Sequence, residues 1–168
     1  MKRKIDEATF IRAYDEYADE IFRYCAFRVY DRERAQDLMQ DTFTRTWAYI
    51  EMGKEVEHLR AFLYKTAHNL CANEAVRSKS FSLDEMQEIA GFDPEDKQDV
   101  SPEQASEHSL LMKHVAALPE ETQELLTLRY MNGLPVAEIA EMLGEAPNTI
   151  SVRIHRAIKE LQERMHAV

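Results

Sequence analysis

The side chains with the clearest chemistry lie near the C-terminal end of the chain, on one face of a helix predicted for residues 147–161. On the opposite side of this helix, four apolar residues recur at helical spacing and form its apolar face: Ile150, Ile154, Ile158 and Leu161. The polar face comprises Asn148, Thr149, Val152, Arg153, Arg156 and Lys159. Cations contact phosphates and arginine can pair with guanine, so the pattern indicates a helix that enters the major groove of DNA. The alternative is an ordinary helical hairpin with solvated cations.

The residues before this helix predict the element that positions it. Apolar residues at Val136, Ile139, Ala140 and Leu143 mark one face of a short preceding helix. Gly144 suits the left-handed conformation that ends a helix, and Pro147 suits the first turn of the next one. Helix, glycine turn and basic second helix together predict a helix-turn-helix.

A second polar face is predicted on a helix over residues 60–79. Its buried side carries Ala61, Phe62, Tyr64, Ala67, Leu70, Cys71 and Ala75. Its polar side carries Arg60, Lys65, His68, Asn69, Asn73, Arg77 and Lys79. Amides and cations beside aromatic residues suit contact with phosphates and unpaired bases. Composition alone leaves open the alternative of a solvated face on a bundle helix.

A third polar face lies on the helix predicted for residues 33–50, opposite a buried stripe that contains Leu38, Phe43 and Trp47. It presents Asp37, Gln40, Asp41, Thr44 and Arg45. Two carboxylates four residues apart could indicate metal binding or acid–base chemistry, but no histidine or second carboxylate pair is near in sequence. A surface that accepts basic side chains of a partner explains them more simply. We expect no cofactor and no metal.

Composition predicts an almost wholly helical protein. The 168 residues are 45% apolar and include only four glycines and five prolines, without sustained alternation of β-branched residues. No apolar run is long enough to cross a bilayer, and the N-terminus has no signal-peptide core. We expect a cytoplasmic protein with no membrane insertion.

Cys25 and Cys71 are isolated in helical patterns, and we expect free, buried or partly buried thiols.

The net charge of −10 is concentrated in one part of the chain. Residues 1–80 carry 14 basic and 14 acidic side chains, and residues 125–168 carry five of each. Residues 81–124 carry two basic and 12 acidic side chains, which account for the whole net charge. Two neutral helical lobes are therefore predicted on either side of an acidic segment. Its Pro-containing, apolar-poor part, residues 81–104, is predicted to be a flexible linker, with helix resuming near Ser101 and Pro102.

Two stretches resemble the extracytoplasmic-function sigma factors of the sigma-70 family of bacterial RNA polymerase. The family's region 2 is similar to AQDLMQDTFTRTW followed by RAFLYKTAHNL. Its region 4 is similar to ALPEETQELLTLRYMNGLPVAEIAEMLG followed by NTISVRIHRA. The resemblance implies an all-α chain of two small domains: region 2 in residues 1–80 and region 4 in residues 105–168, with the acidic linker 81–104 between them.

The resemblance also implies roles for the three faces. Asp37, Gln40 and Asp41 match the family's contacts with a coiled coil of the largest polymerase subunit. The Glu51–Leu59 loop and the following helix match the part that recognises and melts the −10 promoter element, with Asn69 at the family's asparagine. Val152, Arg153, His155 and Arg156 match the major-groove positions that read the −35 element. A departure is Glu145, which stands in the turn where an apolar residue is usual.

The implied function is a non-enzymatic specificity subunit that directs core RNA polymerase to promoters. The implied partners are core polymerase, through its coiled coil and flap, promoter DNA, and an anti-sigma factor. The alternative is a stand-alone helix-turn-helix regulator of duplex DNA, which would not need the Asp37 and Asn69 faces. A helical enzyme is disfavoured, because the sequence contains no nucleophile–base pair, glycine-rich phosphate loop or metal-binding cluster.

Overall fold

The chain is built from amphipathic helices in the computed structural model, which describes residues 5–77 and 101–167, with the side chains of 75–77 excepted. The helices are α1 (Glu7–Val29), α2 (Arg32–Glu51), α3 (Leu59–Arg77), α4 (Pro102–Ala116), α5 (Glu120–Leu126), α6 (Val136–Leu143) and α7 (Pro147–His166). Within these ranges no residue is in a strand. The all-α prediction is confirmed. The predicted flexible linker lies outside the described residues except for its last positions.

Local capping interactions fix where several helices begin. The Asp6 side chain accepts a hydrogen bond from the backbone N–H of Thr9 at 2.8 Å, and the Asp31 side chain accepts one from the backbone N–H of Arg34 at 3.0 Å. Ser101 and Gln104 form a reciprocal capping box at the start of α4, inside the range predicted as linker. Each cap satisfies N–H groups that have no partner within the helix, so short polar residues determine these boundaries.

The first of two compact units contains α1, α2 and α3. Its core includes Ile21, Tyr24, Leu63 and Tyr64, whose side chains are fully buried. The Tyr24 and Tyr64 rings meet edge to face with centroids 5.6 Å apart, joining α1 to α3. Further aromatic contacts join α1 to α2 through Phe10 and Tyr14 against Phe43, and through Phe10 against Trp47. The polar faces of α2 and α3 are thus carried on a rigid bundle.

Both cysteines lie in this core as free thiols, as the sequence predicts. Cys25 belongs to α1 and Cys71 to α3, and both are buried. A hydrogen bond with the Cys71 thiol, together with burial, raises the pKa of Cys25 well above its ordinary value. The thiol of Cys25 therefore stays protonated at neutral pH and is a poor nucleophile.

The second unit contains α4, α5, α7 and α6 as far as Ala140. Leu118, Leu126 and Ala157 pack together, with Ile158 and Leu161 of α7 against them. Farther along, Leu134, Ile139 and Ile150 are fully buried, so the loop before α6 and both helices of the helix-turn-helix contribute to the core. Gly144 has a φ of 67° in the turn between α6 and α7, as the sequence predicts.

The segment after α5 is not a continuation of the same α-helix, although the apolar residues Leu125, Leu126, Leu128 and Tyr130 predict one helix over residues 120–131. The α-helix ends at Leu126 and the chain continues as a π-helical turn, Thr127–Met131. The Asn132 N–H donates to the Thr127 carbonyl at 2.9 Å, five residues back. The wider turn accommodates a chain reversal that buries both Leu128 and Leu134, while Tyr130 is 61% exposed. The periodicity of apolar residues does not indicate that the backbone hydrogen bonds here span five residues, where those of an α-helix span four.

Replacing Ile150 with alanine tests whether the buried face of α7 holds the second unit together. Ile150 is fully buried, and removing such a side chain typically costs about 2–5 kcal/mol in free energy of unfolding. Urea unfolding followed by circular dichroism measures this. The control is Val152→Ala on the same helix, which changes a side chain that is 48% exposed and should cost less than about 0.5 kcal/mol. Equal losses for the two variants would contradict the assigned faces.

Candidate polymerase and nucleic-acid interfaces

The α2 face predicted to contact polymerase is open to solvent. Asp37, Gln40 and Asp41 are all exposed, and the opposite side of α2 is buried in the first unit. The Asp37 carboxylate accepts a hydrogen bond from Arg34 at 3.3 Å, and Asp41 lies 3.9 Å from Arg45. Exposed pairs of this kind are worth at most about 1 kcal/mol, so a partner cation can displace them. The face can dock a basic surface.

Three of the predicted −10 contacts form an exposed row along α3. Lys65, Asn69 and Asn73 are spaced four residues apart and all are exposed. Behind them, Leu63, Ala67 and Leu70 are buried, as are Tyr64 and Cys71. One cation and two amides on a rigid helix can contact a phosphate and the hydrogen-bonding edges of unpaired bases. The side chain of Arg77, also in the predicted set, lies outside the described residues.

Arg60 is placed differently from that row, because it is fastened to α1. Its Nε and Nη2 donate to the two carboxylate oxygens of Glu20 at 2.9 and 2.8 Å. Its guanidinium lies 6.0 Å from the Tyr17 ring and 5.9 Å from the Tyr64 ring. The two charged side chains are only 25% and 13% exposed. This bidentate pair ties the first turn of α3 to α1.

The environment of this ion pair also affects the two tyrosines beside it. Burial, followed by the negative charge of Glu16, raises the pKa of Tyr17. Burial and the Glu20 carboxylate raise the pKa of Tyr64. Both phenols therefore stay neutral across the physiological pH range and act as packing groups around Arg60.

His68, another predicted −10 residue, is partly buried against α1. Its Nδ1 lies 3.3 Å from the hydroxyl of Tyr24, whose ring is fully buried. The contact links α3 to α1 about two helical turns beyond Arg60. His68 thus belongs to the side of α3 that packs against its neighbour, whereas Asn69 next to it faces solvent.

The other end of α3 is tied to α2 by a second bidentate pair. Arg34 Nε and Nη2 each donate to a Glu74 carboxylate oxygen at 2.8 Å. The hydrogen bonds that Arg34 donates to the Glu74 carboxylate, together with the negative charge of that carboxylate, raise the pKa of Arg34, so this guanidinium remains charged. With Arg60–Glu20 at one end and Arg34–Glu74 at the other, the position of α3 is fixed at both ends.

The loop between α2 and α3 is supported at its base by aromatic contacts. The Tyr49 and Phe62 rings lie 4.8 Å apart, and Lys54 places its Nζ 4.8 Å from the Tyr49 ring centroid. Gly53 has a φ of 78°, which lets the chain leave α2. Most of the side chains between Met52 and His58 are exposed. A largely exposed loop on an aromatic base can approach an unstacked nucleotide.

The predicted DNA-reading face of α7 is exposed at six of its seven positions. These are Asn148, Thr149, Val152, His155, Arg156 and Lys159. The helix begins with Pro147 and has no side-chain hydrogen bond at its N-cap, Ala146. Its first N–H groups and the positive end of its dipole are therefore available to a phosphate. The face combines amide, hydroxyl, apolar and cationic groups, which suits a major groove.

Arg153 is the seventh position and is held by the chain itself. Its Nη1 donates to the Glu145 carboxylate in the helix-turn-helix turn. Its Nη2 lies 3.4 Å from a carboxylate oxygen of Glu121 in α5. Its side chain is 28% exposed.

Sequence reasoning missed the acidic partners in these ion pairs. Glu20 and Glu74 each lie 40 residues from the arginine they bind, and no local spacing rule links positions so far apart. Glu145 is the exception, because its charge is visible in the sequence as a departure: the sigma factors that this chain resembles usually have an apolar residue there. A charged side chain in an apolar position indicates a charged partner nearby.

The described residues contain no group of three or more histidine, cysteine, aspartate or glutamate side chains that could hold a metal. Among the same residues, no helix is long and apolar enough to cross a membrane.

Comparison with known proteins identifies both units. The family model for sigma-70 region 2 matches residues 13–81, and the model for sigma-70 region 4 matches residues 108–161. The chain belongs to the sigma-70 family. Its relatives place it among the sigma factors of the extracytoplasmic-function type, as the sequence resemblance implies. It is a specificity subunit of bacterial RNA polymerase. No finding supports a stand-alone regulator, which would have no need of region 2.

Two relatives and one solved structure illustrate the similarity. The sigma factor BldN of Streptomyces coelicolor is 33% identical over 159 residues, which cover 90% of this chain but only 58% of BldN. The sigma factor SigL of Mycobacterium tuberculosis is 29% identical over 158 residues, covering 93% of this chain and 89% of SigL. The structure of the sigma factor RpoE from Bartonella quintana, solved with the anti-sigma factor NepR, has a TM-score of 0.69 at 20% identity. The superposition covers 94% of this chain and 96% of the RpoE chain, so the two proteins share the fold.

Replacing Glu20 with glutamine tests the Arg60–Glu20 pair in region 2. The change leaves a largely buried guanidinium without its counter-charge, and we expect a loss of about 1–3 kcal/mol in free energy of unfolding. Thermal unfolding of the full chain measures it. The matched control is Asp19→Asn, which removes the same charge from an exposed neighbour on α1. A Glu20 variant as stable as the control would show that the pair contributes nothing.

Proposed function

We propose that the two units of this sigma factor divide promoter recognition between them while core polymerase holds both. The first unit docks on polymerase through Asp37, Gln40 and Asp41 and recognises the −10 element through α3 and the loop before it. The second unit reads the −35 element with α7. The observation that supports this most directly is the exposed row Lys65, Asn69 and Asn73 on a helix fastened at both ends.

The chemistry of that row suits a melted strand better than a duplex. Direct reading of duplex DNA needs several cations against the phosphate backbone, and the row offers one. The two amides can pair with the edges of a base that has left the stack. Extruding a base costs a few kcal/mol, which contacts from a rigid, already ordered surface can return. Arg60 and His68 support this surface through their contacts with Glu20 and Tyr24.

The α7 face suits duplex DNA. Arg156 and Lys159 supply charge for phosphates or guanine, Asn148 and Thr149 supply hydrogen bonds, and Val152 can pack against a thymine methyl. His155 is exposed on the same helix. Arg153 also belongs to this predicted face, but unlike the other members its guanidinium is paired with Glu145 and Glu121.

The proposed partners extend to an anti-sigma factor. The similar structure of RpoE contains the anti-sigma factor NepR, and that of CnrH contains the cytosolic domain of CnrY. We propose that an anti-sigma factor likewise holds this chain inactive. We also propose that the second unit contacts the flap of core polymerase. These roles are non-enzymatic, and they place the chain in the cytoplasm, where bacterial core polymerase works. Affinity purification from the native cell, followed by mass spectrometry, should recover core polymerase and the anti-sigma factor.

Transcription in vitro with purified core polymerase tests the proposed function directly. DNA fragments from the native genome should give discrete transcripts only when this chain is added, because the core enzyme alone does not select promoters. Transcripts that do not depend on the chain would overturn the proposal.

Reversing the charge of Asp41 tests the docking face. Asp41→Arg should reduce binding to core polymerase by at least about tenfold, because it sets a cation against a basic docking surface. The fold should be unaffected, since the Asp41 side chain is 58% exposed. Binding is measured by fluorescence titration of labelled chain with core enzyme. Asp15→Arg on the exposed side of α1 is the matched control, and equal losses for the two variants would contradict the assignment.

Truncating Asn69 tests −10 recognition separately from docking. Asn69→Ala should slow promoter opening by about three- to tenfold, which corresponds to the loss of one or two hydrogen bonds. Fluorescence of 2-aminopurine placed in the −10 element reports opening, and affinity for core polymerase should stay unchanged. The control is Gln36→Ala, an exposed amide on α2 outside the predicted faces. Normal opening by the Asn69 variant would exclude Asn69 from the −10 surface.

A further inference from the structure

Arg153 differs from every other residue on the reading face of α7. Its neighbours on that face are exposed, whereas its guanidinium is in contact with Glu145 and Glu121. Glu145 belongs to the turn before α7, and Glu121 belongs to the first turn of α5. The side chains of Arg153 and Glu145 are 28% and 33% exposed, so the ion pair between them is partly sheltered from solvent.

An arginine held in this way is poorly placed to read a base. Bidentate pairing with guanine needs two adjacent N–H groups directed into the groove. Instead, Nη1 of Arg153 donates to the partly sheltered Glu145 carboxylate, and Nη2 lies 3.4 Å from Glu121, whose side chain is 86% exposed. Releasing the guanidinium to DNA would leave the partly sheltered Glu145 carboxylate without its counter-charge, next to a polyanion. Both effects oppose a direct reading role.

We propose that Arg153 is a positioning residue, which ties the recognition helix to the turn before it and to α5 and so sets the angle at which α7 meets DNA. The inference rests on the proposed reading of the −35 element by α7. Base discrimination then falls to the exposed residues Asn148, Thr149, Val152 and Arg156. Glu145, which stands where the family usually has an apolar residue, is the partner that makes this arrangement possible.

The two roles of Arg153 predict opposite effects when Glu145 is removed. If Arg153 positions α7 through Glu145, then Glu145→Ala releases the helix and weakens binding to all −35 sequences. If Arg153 reads a base, the same change frees its guanidinium and removes a negative charge near DNA, so binding strengthens. The direction of the change therefore separates the two roles.

The experiment uses holoenzyme assembled from the full chain and core polymerase, and a promoter library with a randomised −35 element. For each variant, selection and sequencing give the base preference at every position, and fluorescence anisotropy gives affinity for the best sequence. We expect Arg153→Ala and Glu145→Ala each to lower affinity by about three- to tenfold with an unchanged preference profile. The double variant should lose no more than the stronger single variant, because both changes break the same contact.

Two further variants complete the design. Arg156→Ala should flatten the preference at one or two positions, which shows that the method detects loss of a reading residue. Glu163→Ala removes an exposed carboxylate elsewhere on α7 and controls for the change in net charge. The preference profile does not depend on the fraction of folded protein, so partial unfolding of a variant cannot imitate a reading defect.

A flattened profile for Arg153→Ala, or tighter binding by Glu145→Ala than by Glu163→Ala, would overturn the positioning role. A wild-type holoenzyme that selects no −35 sequence would instead overturn the proposed function of α7, and the inference with it.

Discussion

The arrangement of the reading surfaces depends on arginine–glutamate pairs within the chain. Arg60 binds Glu20, Arg34 binds Glu74, and Arg153 binds Glu145. The first two pairs are bidentate and fix the two ends of α3, while the third joins α7 to its turn. Hydrophobic burial brings these helices together in a close-packed core. Directional, charge-assisted hydrogen bonds further restrict sliding and rotation, so the exposed side of each helix is well defined.

The same pairs limit what the chain can do alone. Affinity for DNA comes largely from cations that replace counterions around phosphates. Arg34, Arg60 and Arg153 are occupied by glutamates, and the whole chain carries a net charge of −10. Among the described side chains of the reading faces, the exposed cations are Lys65 on α3 and Arg156 and Lys159 on α7. Such surfaces can distinguish sequences but provide little affinity, which agrees with a subunit that polymerase carries to DNA.

Much of the fold could be predicted from the sequence because its determinants are local. The apolar periodicity of residues 6–29 and 33–50 identifies α1 and α2, and Asp31 and Ser101 mark helix starts through short-range caps. Gly144 and Pro147 define the helix-turn-helix turn for the same reason. The π-helical turn at Thr127–Met131 was not predicted, since it depends on burying Leu128 and Leu134 together.

The exposure and pairing of the candidate site residues could be predicted only in part from the sequence. Periodicity identifies which residues share a face, and resemblance to a family assigns a role to that face. Neither indicates which side chain is bound by another part of the chain. Helical spacing groups Arg60 and Arg153 with exposed polar residues, although each has a carboxylate partner that sequence spacing does not reveal. Glu145, as a departure from the family pattern, was the one visible sign of such a partner.

Both reading surfaces should work only when core polymerase holds them. Binding to a promoter duplex that the holoenzyme selects, measured with and without core enzyme at physiological salt, tests this dependence. Fluorescence anisotropy should show that the holoenzyme prefers this duplex to a scrambled one. The free chain should bind both duplexes equally and at least about 100-fold more weakly. A free chain that discriminates between the two duplexes as well as the holoenzyme does would contradict the account.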